Sequence, residues 1–257
     1  MPSDLIENIY RAVCKIALAQ PGVMLEANEP GPDATEADVE AFEKAKETNE
    51  QTEKDNAAQA AANPALEKIR SDGFEVLYVS EPIDEMTLQN IDKFNEKQIT
   101  DVGKEQSDLS DDEKKEKDEA NETYESVRLW IKKVLGDRIT KVEVSTRLVD
   151  SPATLVQSEY GVSPNMQKYL RAQAVVENDD KGEFANIFNQ AVLEINPTHP
   201  IIKSLKEAQE QDEENEEAKE AVELVFNTAA LAAGYALENA ADYAKLVTSM
   251  MTKLSAK

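Results

Sequence analysis

The sequence predicts an α+β fold: a small β-α-β unit, then a mixed α/β region ending in a helix pair suited to a four-helix bundle with a second copy. Three observations predict it. The β-branched and aromatic run Phe74-Glu75-Val76-Leu77-Tyr78-Val79 is followed by a helix signal and a second short strand. Val142, Val144, Thr146 and Leu148 alternate, and beyond a Ser151-Pro152 turn comes Thr154-Leu155-Val156, which together read as paired strands. The last two helical segments each carry a long apolar stripe. With 257 residues the chain is long enough for a real core, as one large domain or two small ones.

The elements follow in order. Over residues 3–20, Leu5, Ile6, Ile9, Val13, Ile16 and Ala17 share one face, Ser3 caps the start and Pro21-Gly22 stops the chain, so an amphipathic helix is expected. After a Pro/Gly loop, Thr35 to Asp38 forms a capping box that opens a polar helix with a thin seam of Val39, Phe42 and Ala45. Glu47 to Ala62 has no core face and reads as a linker or a frayed helix. Beyond Asn63-Pro64, a short helix with Leu66 and Ile69 leads into the Phe74–Val79 strand. Glu81-Pro82 then opens a helix bearing Met86, Leu88, Ile91 and Phe94, and a strand near residues 98–102 closes the β-α-β pattern.

Residues 107–121 are charged or small, either a hinge or a solvent-facing helix start. Tyr124, Val127, Trp130, Ile131 and Val134 give the following helix a genuine apolar face, ended by Gly136. Ser163-Pro164 places a serine cap before a proline at the first helical position. Leu193-Glu194-Ile195-Asn196-Pro197 precedes a helix carrying Ile201, Ile202 and Leu205. An acidic run, Glu210 to Glu217, separates it from the final pair.

Charge narrows the function. Lys+Arg number 28 against 52 Asp+Glu, a net −24, so the chain repels phosphate backbones and anionic lipid; neither nucleic acid nor membrane is expected as a partner. The acidity reads as a solvated face with acidic linkers, or else as a docking surface for a basic partner. The longest apolar run, near residues 229–237, is too short for a bilayer. Cys14 is the only cysteine and His199 the only histidine, so disulfides, cysteine zinc cages, histidine-pair metal sites and serine–histidine–aspartate triads are not expected. His199, between two prolines, reads as a turn residue. No two glycines lie two positions apart, so no glycine-rich phosphate cradle is present. Catalytic, cofactor and metal residues are therefore expected to be none.

Two apolar surfaces remain. Val162, Met166, Tyr169 and Leu170 form a stripe bounded by Gln167, Lys168 and Arg171, which is either core or an exposed, adaptable contact surface. Val222, Val225, Phe226 and Ala229 on one terminal helix, with Tyr243, Val247, Met250 and Leu254 on the next, are spaced to bury two stripes against a second copy.

From about Pro64 the sequence resembles the end of the heat shock protein 90 family. The resemblance is carried, in family order, by Gly73-Phe74-Glu75-Val76-Leu77-Tyr78, Glu81-Pro82-Ile83-Asp84-Glu85, Arg147-Leu148 with Ser151-Pro152 and Leu155-Val156, and Tyr160-Gly161 with Asn165-Met166. It continues through Arg171-Ala172-Gln173-Ala174, Leu193 to Pro197 with His199 to Ile202, and Thr228-Ala229 with Gly234-Tyr235.

The resemblance implies three segments: residues 1–63 as a helical extension and linker of unknown role, 64–106 as the tail of the family's middle domain, and 107–257 as its C-terminal dimerisation domain. It implies a chaperone component in protein folding and the stress response. Val162, Met166, Tyr169 and Leu170 would contact unfolded clients, and the last two helices would dimerise with a second copy or a full-length relative. ATP and Mg²⁺ would bind in a family domain outside this chain, so this chain is not expected to be an enzyme. Val162 stands where many members carry tryptophan, and Ala153 where cysteine is frequent. The end at Ser255-Ala256-Lys257 lacks the acidic pentapeptide of cytosolic eukaryotic members and any ER-retention signal, and so resembles bacterial or organellar members. The alternative function is a structural or regulatory protein that docks a separate partner through residues 1–60. Compartment is left open.

Overall fold

The computed structural model describes residues 15–18, 35–61, 63–72, 76–79, 87–88, 91, 93–94, 97–105, 111–158, 161–164, 166–167, 191–237 and 239–255. It opens with strand β1 (Lys15–Leu18) and helix α1 (Glu36–Ala61). The expected capping box forms: the Asp38 N–H donates to Thr35 Oγ1 at 3.3 Å, and the Thr35 N–H donates to Asp38 Oδ2 at 2.8 Å. Helix α1 continues through the segment expected as linker or frayed helix, so of the two it is helix.

Asn63 Oδ1 accepts from the Ala65 N–H at 2.9 Å and starts a 3-10 turn (Pro64–Leu66) that runs into α2 (Glu67–Ser71). Strands β2 (Val76–Val79) and β5 (Thr100–Asp101) do not touch each other. β1 lies between them, parallel to both, with Ile16 opposite Leu77 on one side and Asp101 on the other. This corrects the helix expected over residues 3–20, of which 15–18 are strand and the remainder lie outside the described residues. Four residues are too few for helical periodicity to decide. Two strands held apart leave N–H and C=O groups that a third strand satisfies. Phe94 is likewise in a strand, not the expected helix: β3 (Lys93–Phe94) pairs antiparallel with β4 (Lys97–Gln98). Of that helix only Thr87–Leu88 is described as helical.

The remaining elements gather around one core, the last helix lying outside it. They are α3 (Asp111–Thr123), α4 (Glu125–Leu135), β6 (Lys141–Val144), β7 (Ala153–Gln157), β8 (Ala191–Ile195), α5 (Pro200–Gln211), α6 (Glu216–Ala233) and α7 (Ala240–Ser255). The expected pairing of β6 with β7 does not occur. β8 lies between them, parallel to β6 and antiparallel to β7, with Leu193 facing Val142 and Leu155. All five residues of β8 are buried, as befits a central strand. Val127, Trp130 and Ile131 of α4, Ile202 and Leu205 of α5, and Val222 and Phe226 of α6 pack on this sheet in one cluster. A second, small cluster gathers Ala65, Leu66, Ile69 and Val102, with Val76 against it.

Helix ends follow the sequence. His199 caps α5, its Nδ1 accepting from the Ile201 N–H at 3.2 Å, which is the turn role expected for it. Gly234 ends α6 at φ 94°, a left-handed conformation that costs glycine nothing, and lets the Tyr235 N–H reach Ala230 O at 2.8 Å.

Candidate functional site

The apolar stripe is partly described. Ser163 caps its helix as expected, its Oγ accepting from the Met166 N–H at 3.0 Å. Val162 and Met166 are half-buried, and buried Gln167 donates from Nε2 to Val162 O at 3.2 Å. Tyr169 and Leu170 lie outside the described residues.

The terminal helices divide by exposure. Val222, Val225, Phe226 and Ala229 are buried in the chain's own core, on the face of α6 that packs on the sheet. On α7, Tyr243 and Val247 are half-buried, and the Tyr243 hydroxyl lies 3.4 Å from Thr228 Oγ1 of α6. Leu254 stands in the last turn of α7. Among the described residues of these two helices, the large apolar side chains left to solvent are Leu231 at 41% exposure, Met250 at 37% and Met251 at 66%. Between α6 and α7 runs a groove of about 490 Å³, floored by Phe226, Ala230 and Tyr235 and rimmed by Arg138, Asp242 and Lys245. Arg138 stacks 5.0 Å over the Phe226 ring and pairs with Glu223, its Nη1 at 2.8 Å from Oε2.

The third arrangement is a polar joint. Arg147 and Glu194 are buried at 1% and 2% exposure, with Arg147 Nη2 at 2.6 Å from Glu194 Oε1 and Nε at 2.9 Å from Oε2. Ser145 Oγ donates to the same carboxylate at 2.8 Å. Burial pushes the Glu194 carboxyl up, but the Arg147 charge and these hydrogen bonds outweigh it and hold the carboxyl below its usual range. The remaining guanidinium donors cross to another part of the chain: Nη1 reaches Val102 O at 2.8 Å and Nη2 reaches Lys104 O at 3.0 Å. Nearby, Glu67 of α2 sits in a cradle of three successive N–H groups, accepting on Oε2 from Val149, Asp150 and Ser151 at 2.6, 2.9 and 3.2 Å. The Ser151 hydroxyl donates to its other oxygen.

Sequence reading gave Arg147, Glu194 and Glu67 no role. One signal was available: Glu194 interrupts the apolar run Val192-Leu193-Ile195, and a carboxylate in a continuous buried strand requires a buried partner. Leu231 and Met251 were also passed over, because periodicity fixes which residues share a face but not which face the sheet covers. Among the described residues no group of His, Cys, Asp or Glu is placed to hold a metal ion. Among them, too, no helix is long and apolar enough to cross a membrane.

The family model for Hsp90 protein matches residues 36–256, and the chain belongs to that family. The match begins upstream of Pro64, where the resemblance was placed. Among similar proteins, heat shock protein 90-5, chloroplastic, of Arabidopsis thaliana is 37% identical over 77% of the chain. Heat shock protein 90-6, mitochondrial, of the same plant is 34% identical over 77%, and the chaperone protein HtpG of Mycolicibacterium gilvum is 32% identical over 75%. The chain spans about a quarter of the length of these curated relatives, 25%, 24% and 29% respectively.

Proposed function

We propose that this chain is the dimerising, client-contacting part of an Hsp90-type molecular chaperone, acting in protein folding and the stress response. The observation that carries the reading is the family match over residues 36–256 of a chain whose last helix leaves Met250 and Met251 exposed. The two exposed methionines of α7, and Leu231 near the end of α6, are apolar side chains that a second copy, or a full-length relative, buries in a four-helix bundle of α6 and α7 with their counterparts. Clients, unfolded or partly folded, meet the stripe of Val162, Met166, Tyr169 and Leu170, where methionine adapts to varied partners. In this reading ATP and Mg²⁺ are bound by a part of the family's architecture outside these residues.

Client contact is tested by replacing Met166 and Tyr169 with serine. Suppression of a model client's aggregation weakens about twofold or more, since a few anchors carry most of an interface's energy. Helicity and melting stay as in the wild type. A variant that unfolds shows the stripe to be core; one that protects clients as well as the wild type removes the stripe from the contact surface.

A further inference from the structure

The contact between residues 63–105 and the sheet is polar and thinly backed by apolar packing. Among the described residues its apolar side is small: Ala65, Leu66, Ile69 and Val102 form the cluster beneath it, and buried Pro64 precedes them. Hydrogen bonds cross the contact as well. The Lys68 N–H donates to Arg147 O at 3.2 Å, the Glu105 N–H to Gln157 O at 2.8 Å, and the Gln157 N–H to Gly103 O at 2.8 Å. The last two bonds extend the end of β7 with the Val102–Glu105 segment, in a parallel bridge between Lys104 and Gln157. Among the described residues the side-chain nitrogen of buried Gln157 has no hydrogen-bond partner. Few apolar contacts with many polar bonds is the composition of a region that opens before the core does.

We propose that this joint is a two-point latch. Glu67 in the Val149–Ser151 cradle is one point, and Arg147 on the Val102 and Lys104 carbonyls is the other. The two points differ in character. Arg147 keeps its charge partner Glu194 within the sheet whether the latch is open or shut, so opening leaves no unpaired buried charge. Glu67 is only partly buried and exchanges its three N–H donors for water on opening. Opening is thus local and reversible, with Glu67 setting how often it occurs. Pro164, in the first turn of the stripe helix, lines one cleft with Asn63, Ala65 and Gly103 of the latched segment and with Gln157 of β7. The latch therefore governs the setting of the client stripe, a consequence that rests on the reading of that stripe given above.

The test is amide hydrogen exchange on the full chain, comparing the wild type with Glu67→Gln and with Ser151→Ala. Replacing a carboxylate acceptor by an amide weakens three charge-assisted bonds at once. In Glu67→Gln the amides of Lys68, Glu105 and Gln157 exchange about tenfold faster or more, while those of β8 stay within about twofold. Ser151→Ala moves the same three amides in the same direction by less. Unchanged exchange at Glu105 and Gln157 overturns the latch, and so does equal acceleration in β8, which would make Glu67 an ordinary stabilising residue. Client protection is measured in parallel. A wild type that fails to protect clients removes the stripe's function and leaves the exchange result, and the latch, standing.

Discussion

Glu143 shows how a single side chain ties this acidic chain's stability to pH. It lies on β6 between two lysines, with Lys117 Nζ at 2.6 Å from Oε2 and Lys141 Nζ at 2.6 Å from Oε1. Burial pushes its carboxyl up, but the hydrogen bonds and charges of the two lysines bring it down to about 2 from an ordinary 4.5. A carboxyl held low in the folded state contributes stability that is complete above 4.5 and is lost as pH falls from there towards 2. Urea unfolding of the wild type and Glu143→Gln tests this: the wild type is the more stable at pH 6, and the gap closes as pH approaches 2. A gap that is constant across that range refutes the ionic account. At this scale the sequence was least legible. A glutamate on a strand followed by Val144 does not announce that Lys117, on helix α3, will meet it, because long-range pairing is set by how α3 crosses β6.

Elements were more legible, and the failures have a common cause. Caps and stops were readable because they are local: Thr35 with Asp38, Ser163 before Pro164, His199 before Pro200, Gly136 and Gly234 all act within a turn of themselves. Strand partners were not, because β8 is 34 residues downstream of β7 and enters between two strands whose sequence already suggested a pair. The same holds for β1, whose four residues are strand only because β2 and β5 stand apart on either side. Local signals therefore support a quantitative prediction for α6. Asn215 Oδ1 accepts from the Ala218 N–H at 3.1 Å at the helix start. Asn215→Ala leaves that donor unpaired and lowers stability by about 1 kcal/mol, read from the denaturation midpoint with an unchanged slope. A loss under a few tenths would show that the acidic residues Glu216 and Glu217 hold the helix end without the cap.

For the whole molecule, the central claim is association through the terminal helices. Sequence periodicity identified both stripes. The fold then apportions them: Val222, Val225, Phe226 and Ala229 serve the chain's own core and Met250 stays exposed, as do Leu231 and Met251, which belong to neither stripe. Met251, at 66% exposure, is the better probe, because a substitution there leaves the folded single chain undisturbed. Met251→Glu buries an unpaired carboxylate in the bundle and weakens the dimer by roughly 3 kcal/mol, more than a hundredfold in Kd. Sedimentation equilibrium at micromolar concentration measures this directly. The account predicts a dimeric wild type and a Met251→Glu chain that is largely monomeric with unchanged melting; a monomeric wild type, or a Met251→Glu chain that remains fully dimeric, contradicts it.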